Sequence, residues 1–87
     1  MASYRIEWKQ SARKELKRVE RDALGRILAA VESLAANPRP PGCRKLVGTS
    51  GAYRIREGNY RVLYTIEEDR LIVEIIRVGH RSIVYKK

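Results

Sequence analysis

The sequence is poor in the residues that build disulfides, metal sites and redox centres. It contains a single cysteine, Cys43, and a single histidine, His80, among 87 residues. One cysteine excludes an intramolecular disulfide, and such a chain fits a reducing compartment. No group of His, Cys, Asp and Glu residues has metal-ligand spacing, so the sequence predicts no metal or other cofactor.

Long hydrophobic runs are also missing. No window approaches the roughly 18 apolar residues of a membrane-spanning helix, and the first residues lack the hydrophobic core of a signal peptide. We therefore expect a cytoplasmic protein without membrane contact. The composition, 44% hydrophobic and 33% charged, is globular, and a chain of this length has room for one domain over residues 1–87.

Charge is strongly biased toward one sign. The chain has 19 Lys and Arg against 10 Asp and Glu, which gives a formal net charge of +9. Such a surface attracts polyanions before any specific contact forms. Nucleic acid or a ribonucleoprotein is therefore the leading class of partner, and an acidic protein is the second.

Residues 53–66 predict a β-hairpin with one basic face. Alternating β-branched, aromatic and charged residues flank Gly58-Asn59, a pair that suits a two-residue turn with positive φ. This turn sets the register, so that Arg56 faces Arg61 and Ile55 faces Val62. Side chains alternate between faces of a strand, and the face opposite the apolar one therefore collects Arg54, Arg56 and Arg61.

The three arginines form a candidate phosphate site. Each guanidinium offers a planar donor fork that matches phosphate oxygens. Like charges directly opposite each other weaken a sheet unless an anion lies between them, which favours the binding interpretation. The alternative is that arginine on an exposed strand provides solubility and edge protection. Glu74, expected on the same face, could pair with Arg54 or Arg61 when no anion is bound.

A strand and two helices are predicted before the hairpin. The strand covers residues 3–9. Ser11 is a candidate cap for the first helix, and Asp22 is one for a second helix that ends at Asn37-Pro38. Asp22 and Gly25 both weaken a helix at the junction, so we predict two helices rather than one. After the hairpin, residues 71–78 predict an interior strand with Leu71 on its core face.

Seven short motifs in this order resemble the RelE/ParE superfamily of toxins, and the RelE branch most closely. They are Tyr-Arg-Ile-Glu-Trp at 4–8, Ser-Ala-x-Lys-Glu-Leu at 11–16, Leu-x-x-Asn-Pro-Arg-Pro-x-Gly at 34–42, Lys-Leu-x-Gly at 45–48, Tyr-Arg-Ile-Arg at 53–56, Tyr-Arg-Val-Leu-Tyr at 60–64, and Arg-Val-Gly-His-Arg with a following Val-Tyr at 77–85. Each motif is weak alone, but their order and spacing over nearly the whole chain are specific.

The resemblance implies an α+β fold with an N-terminal strand and a two-helix hairpin packed on a small antiparallel sheet, in agreement with the elements above. It also implies a toxin of a type II toxin–antitoxin pair, which enters the ribosomal A site and cuts mRNA there. The active-site positions of the RelE branch fall on Arg54, Arg56, Arg61, Arg81 and Tyr85. Some RelE members have lysines in place of the first two arginines, and arginine, unlike lysine, cannot act as a proton acceptor.

Roles follow from the chemistry of RNA cleavage by a neighbouring 2′-hydroxyl. Arg61 and Arg81 are expected to grip the scissile phosphate and stabilise the charge of the phosphorane. Tyr85 is expected to stack on a base or to orient the nucleotide. His80 is a candidate for proton transfer because histidine exchanges protons near neutral pH. Strand alternation aims it away from Arg81, however, and a polar surface residue is the alternative.

Two macromolecular partners are implied. A cognate antitoxin is expected to be acidic where it covers the arginines. The ribosome with its mRNA is expected to meet basic side chains outside the active site. These candidates for RNA or ribosome binding are Arg13, Lys14, Lys17, Arg18, Arg21, Arg44 and Lys45.

Two other functions stay open at this point. A ParE-like inhibitor of DNA gyrase would share the fold without needing a ribonuclease site, and the combination of Arg61, Arg81 and Tyr85 argues against it. A catalytically inert basic module that binds RNA or an antitoxin is the third possibility.

Overall fold

The computed structural model describes residues 3–48 and 51–81. Within them the chain forms five strands and two helices. In chain order these are β1 Arg5–Trp8, α1 Gln10–Leu16, α2 Arg21–Ser33, β2 Arg44–Lys45, β3 Ala52–Glu57, β4 Tyr60–Glu67 and β5 Ile72–His80. The predicted α+β class and the two separate helices are confirmed.

The strands form one sheet in the order β1-β5-β4-β3-β2. Neighbours from β2 to β5 run antiparallel, whereas β1 runs parallel to β5, with Trp8 opposite Ile75. The sheet was predicted to be antiparallel, but it is mixed. No turn joins β1 to β5, so no turn geometry sets their relative direction. The two-residue strand β2, interpreted as loop from the sequence, is too short to show alternation.

The hairpin register is confirmed residue by residue. Glu57 lies opposite Tyr60, Arg56 opposite Arg61 and Ile55 opposite Val62. Gly58 has a φ of 61°, a left-handed conformation that glycine adopts without steric cost and that a two-residue hairpin turn requires. Local chemistry therefore sets this register without help from the rest of the fold.

The hydrophobic core lies between the helices and one face of the sheet. Sheet residues such as Val62, Tyr64 and Ile75 pack there against Ile27 and other apolar residues of α2. α1 packs against β5 and α2 against β3. Neither helix in the described part of the chain is long and apolar enough to cross a membrane.

Both predicted helix caps are wrong. α1 begins at Gln10, with Lys9 in the cap position and no side-chain cap, because the Lys9 amide donates to the carbonyl of Ile75 at the end of the sheet. α2 is preceded by Glu20, whose amide donates to the Tyr60 hydroxyl, and Asp22 lies within the first turn. Contacts with the sheet therefore position both helix starts. α2 also ends earlier than predicted, at Ser33.

Leu71 was predicted to face the core, but it lies outside it. It is 36% exposed and has a φ of 54°, and its amide donates to the carbonyl of Glu68. The chain must reverse between β4 and β5, and Leu71 takes the left-handed position that this reversal requires. The interior strand begins at Ile72 instead.

Tyr64 provides a test of the core that does not depend on function. Its side chain is fully buried, and its hydroxyl donates a 2.7 Å hydrogen bond to the carbonyl of Pro38, while burial raises the pKa of the hydroxyl. Tyr64→Phe would leave that carbonyl without its partner, so we expect a loss of roughly 1–3 kcal/mol in unfolding free energy. Urea denaturation measures it. Tyr53 carries the neighbouring stacked ring and is only half-buried, so Tyr53→Phe should cost less.

Candidate active site

Two pairs of arginines lie directly opposite each other across strands of the sheet. Arg56 faces Arg61 between β3 and β4, and Arg44 faces Arg54 between β2 and β3. Ile55, between the two β3 arginines, is buried in the core with the helices, so the arginines point to the other side of the sheet. We call this set of Arg44, Arg54, Arg56 and Arg61 the arginine face.

Arg44 was predicted to contact the ribosome, and the structure places it in the arginine face. The sequence did not predict this position, because a strand of two residues is too short to show an alternating pattern. Across the sheet, Leu63 lies opposite Arg54 and is buried. An apolar neighbour lowers the local dielectric and strengthens electrostatic interactions of the guanidiniums.

Arg61 is the one buried charged residue in the described part of the chain, and the residue is 6% exposed. Its Nη1 donates to the carbonyls of Gly58 and Tyr60 at 3.3 and 3.2 Å. Its Nε is buried and makes no hydrogen bond to any described residue. A buried charge with an unsatisfied donor is costly, and an anion bound at this position would relieve that cost.

The nearby carboxylates in the described part of the chain do not pair with Arg44, Arg56 or Arg61. Glu57 lies opposite Tyr60 and bonds to Arg26 of α2 at 3.3 Å. Glu74 lies opposite Thr65 of β4, whereas Arg61 lies opposite Gly79 at the other end of β5. Glu74 forms no ion pair with any described residue, so the prediction that it pairs with Arg54 or Arg61 is wrong. Among the described residues, no carboxylate forms an ion pair with Arg44, Arg56 or Arg61.

Arg81 lies beside the turn of the hairpin. Its backbone amide donates to the carbonyl of Asn59 at 2.9 Å, which extends the sheet contacts past His80. This bond brings Arg81 close to the row that holds Arg56 and Arg61, and its side chain is exposed. The structure thus places Arg54, Arg56 and Arg61 on one face of the sheet and the backbone of Arg81 beside the turn of the same hairpin. Tyr85, the fifth predicted position, lies outside the described residues.

His80 lies on the opposite side of the sheet from Arg61. It faces Tyr60 across β4 and β5, and the two rings meet edge to face with centroids 6.0 Å apart. It also lines a cavity of about 130 Å³ on the helix side, together with Glu15, Arg18, Val19, Tyr60, Val78 and Gly79. The structure therefore places His80 on the other side of the sheet from the arginine face.

The remaining basic candidates lie outside the arginine face. Lys45 is opposite Tyr53, one position along from the Arg44–Arg54 pair. The others are exposed on α1, between the helices or at the start of α2, and they are Arg13, Lys14, Lys17, Arg18 and Arg21.

The chemistry available to the arginine face is anion binding. Guanidinium groups stay protonated at any pH a protein experiences, so they donate hydrogen bonds and cannot accept a proton. Four of them beside an exposed turn suit a phosphoryl group that carries more than one negative charge. In residues 3–48 and 51–81, no three His, Cys, Asp or Glu side chains lie close enough to hold a metal ion.

Comparison with known proteins gives concordant matches over nearly the whole chain. A family model described as the ParE toxin of the type II toxin–antitoxin system parDE matches residues 6–85. Toxin RelG of Mycobacterium tuberculosis is 35% identical over 92 residues, which cover 97% of this chain and 98% of that protein.

Two solved structures share the fold at lower identity. A chain of the toxin–antitoxin complex RelBE2 from Mycobacterium tuberculosis is 27% identical with a TM-score of 0.82, covering 94% of this chain and 95% of that one. A chain of the archaeal RelE–RelB complex from Pyrococcus horikoshii is 27% identical with a TM-score of 0.80, covering 93% and 98% respectively.

Proposed function

The chain belongs to the RelE/ParE superfamily of type II toxin–antitoxin toxins, and from this premise we propose that it is a ribosome-dependent endoribonuclease that cuts mRNA in the A site. The observation that carries the proposal is the buried guanidinium of Arg61, placed directly opposite Arg56 with no carboxylate of the described residues bound to either. Such a pair weakens the sheet unless an anion lies between the two charges.

The arginines would stabilise the transition state of 2′-hydroxyl attack. The phosphorane formed in this reaction carries more negative charge than the starting phosphodiester. Arg61 is held by two turn carbonyls and is shielded from water, so it needs little reorganisation as that charge develops. Arg56 and Arg81 are exposed residues beside the same turn, and Arg54 lies two residue pairs further along the hairpin.

The proposed dependence on the ribosome follows from what the arginine face cannot do. None of its four guanidiniums can accept a proton, and His80 lies on the other side of the sheet. A site of this kind needs another macromolecule, such as the ribosome, to align its RNA substrate. Correct alignment alone lowers the activation barrier of cleavage substantially. Tyr85 stays a candidate for stacking on a base or orienting the nucleotide.

Primer extension on translated and untranslated copies of one mRNA, after brief induction, tests the proposal directly. Ribosome-dependent cleavage predicts new 5′ ends in the translated regions only. New 5′ ends in both copies would indicate a ribonuclease that does not need the ribosome. The absence of new 5′ ends in both copies would contradict mRNA cleavage.

A cognate antitoxin is the second proposed partner. Of the two solved structures named above, RelBE2 is a toxin–antitoxin complex, and the archaeal structure is a complex of RelE with RelB. For this chain, we propose an acidic segment that covers the arginine face, since no carboxylate of the described residues neutralises Arg44, Arg56 or Arg61. A small protein encoded beside this gene should restore growth on co-expression, and failure of every adjacent product to bind would contradict the proposal.

His80→Gln should leave cleavage and its pH profile unchanged. The ring lies edge-on to Tyr60 on the helix side of the sheet, away from Arg61. A general acid or base would contribute roughly 10²- to 10⁴-fold, and its removal would also eliminate a titration near neutral pH. Single-turnover cleavage on programmed ribosomes, from about pH 5.5 to about pH 8.5, compares the variant with the wild type across the range in which histidine titrates.

The family description favours a second candidate, inhibition of DNA gyrase, because the matching model is that of the ParE toxin. A supercoiling assay with purified gyrase distinguishes the two. The ribonuclease proposal expects no inhibition at concentrations that stop translation in a cell extract.

A further inference from the structure

A cleft on the helix side of the sheet combines one aromatic ring with three cations. Trp8, the last residue of β1, forms one wall, and the cleft has a volume of about 530 Å³. The other lining residues are Gln10, Arg13, Lys14 and Lys17, and all four are exposed. We call this the Trp8 cleft.

The three cations of the Trp8 cleft are not neutralised within the described part of the chain, since Arg13, Lys14 and Lys17 form no ion pair there. The closest carboxylate in sequence, Glu15, is engaged elsewhere. It accepts hydrogen bonds from the Val78 amide at 2.9 Å and from the Arg77 guanidinium at 3.1 Å.

The acidic neighbour of Trp8 on β1 is also engaged elsewhere. Glu7 alternates with Trp8 to the other face of the sheet and bonds to Arg5 at 3.0 Å. The positive potential of the Trp8 cleft is therefore available to a ligand.

Trp8 itself is positioned for both packing and binding. It lies opposite Ile75 on the core face of an edge strand, packs against the core and is half-buried. An indole that is only partly covered and is flanked by cations has the chemistry that binds single-stranded nucleic acid. There, bases stack on an aromatic ring while lysine and arginine follow the phosphates.

We propose that the Trp8 cleft binds single-stranded RNA, with one unpaired base stacked on Trp8 and the adjacent phosphates held by Arg13, Lys14 and Lys17. This site faces the helix side, whereas the arginine face points to the other side of the sheet, so a short RNA in one cannot occupy the other. The inference rests on the proposed function for the source of the RNA, a loop of ribosomal RNA that fixes the docked toxin.

The test uses the full-length protein without ribosomes. Trp8 is the only tryptophan, so its fluorescence reports the cleft directly. Titration with an oligoadenylate of about eight residues, a length within the usual range of single-strand binding sites, should quench the emission saturably. An abasic strand of equal length should quench far less. Arg61→Ala, on the other face of the sheet, should leave the quenching unchanged.

Substitutions at Trp8 separate stacking from general attraction. By fluorescence anisotropy of labelled RNA, Trp8→Leu should weaken binding roughly 5- to 150-fold, the range expected for the loss of one stacked base. Trp8→Phe, which keeps an aromatic face, should retain most of the affinity. Circular dichroism checks that both variants are folded. If Trp8→Leu is unfolded, the affinity of Trp8→Phe still tests the proposal.

Charge is tested with matched double variants. Lys14→Gln/Lys17→Gln should lower the slope of log affinity against log salt by about 1.4, or about 0.7 for each phosphate contact with a single strand. Arg5→Gln/Arg70→Gln removes the same charge from residues that are paired with Glu7 and Glu67, and it should change the slope less.

Three results would overturn the inference. They are equal RNA affinity in the Trp8→Leu, Trp8→Phe and wild-type proteins, quenching by heparin as strong as that by RNA, and stronger quenching by an acidic peptide, which would mark the cleft as a protein-binding surface. These measurements do not involve mRNA cleavage. Failure of the ribonuclease assay would therefore leave the binding result standing, and the reverse also holds.

Discussion

Arg61→Ala should slow single-turnover cleavage of mRNA on programmed ribosomes by roughly 10²- to 10³-fold, the usual loss when one donor to a developing oxyanion is deleted. Arg61 is fixed by the carbonyls of Gly58 and Tyr60, so its charge is in place before the phosphorane forms. Arg81→Ala should cause a comparable loss, because its backbone bond to Asn59 holds it at the same turn.

Conservative and remote variants sharpen this comparison. Arg61→Lys and Arg81→Lys keep the charge but lose the bidentate fork, so each should recover only part of the rate. Arg70→Ala removes an exposed guanidinium that is bonded to Glu67 in the turn before β5. This variant should cleave mRNA at the wild-type rate. Full activity in both alanine variants would contradict the ribonuclease proposal.

Unfolding cannot account for the expected loss at Arg61. Its buried guanidinium has an unsatisfied Nε and faces Arg56, so it weakens the fold that carries it. Arg61→Met, which fills a similar volume without charge, should therefore be folded and have an equal or higher unfolding free energy, while cleavage falls as in the alanine variant. Urea denaturation of the two variants and the wild type measures this.

The hairpin could be predicted in full from the sequence because local chemistry determines it. A Gly-Asn turn permits few geometries, and strand alternation then decides which residues share a face. The positions of Arg54, Arg56 and Arg61 follow from those two facts. The prediction that His80 points away from Arg81 rests on the same alternation, and the structure places His80 on the other face of the sheet from Arg61.

Features that depend on distant parts of the chain could not be predicted. The direction of β1 is set by its pairing with β5, which no turn connects to it. The Arg44–Arg54 pair exists only because a two-residue strand joins the edge of the sheet. The start of α1 depends on a bond from Lys9 to Ile75, so the capping preference of Ser11 does not decide it.

The burial of Arg61 is the clearest case of a site property that the sequence does not contain. Its neighbours Arg54 and Arg56 occur in the same alternating pattern, yet one is half-buried and the other exposed. The difference arises because Arg61 folds back over the turn carbonyls on a central strand, between β3 and β5. Periodicity assigns a face of the sheet, but only the assembled sheet decides how deeply a side chain lies.

Neutralising basic residues of the helical region should weaken ribosome binding without slowing the chemical step. Arg13, Arg18 and Arg21 are exposed and lie on or between the helices, away from the arginine face. If each contacts one phosphate, Arg13→Gln/Arg18→Gln/Arg21→Gln should lower the slope of log affinity against log salt by about 2 to 3. Affinity should then fall most at low salt, where phosphate contacts contribute most.

The matched control removes the same three charges elsewhere. Arg5, Arg26 and Arg70 each form an ion pair with a glutamate of the chain, so their replacement by glutamine should leave the salt dependence close to that of the wild type. Ribosome binding is measured by sedimentation from about 50 to about 200 mM salt, the range over which phosphate contacts weaken strongly. Cleavage at saturating toxin should keep its wild-type rate in both triple variants, because neither changes the arginine face. If binding by the helical variant does not change across the salt series, these arginines are only solvated surface, and docking must use another part of the protein.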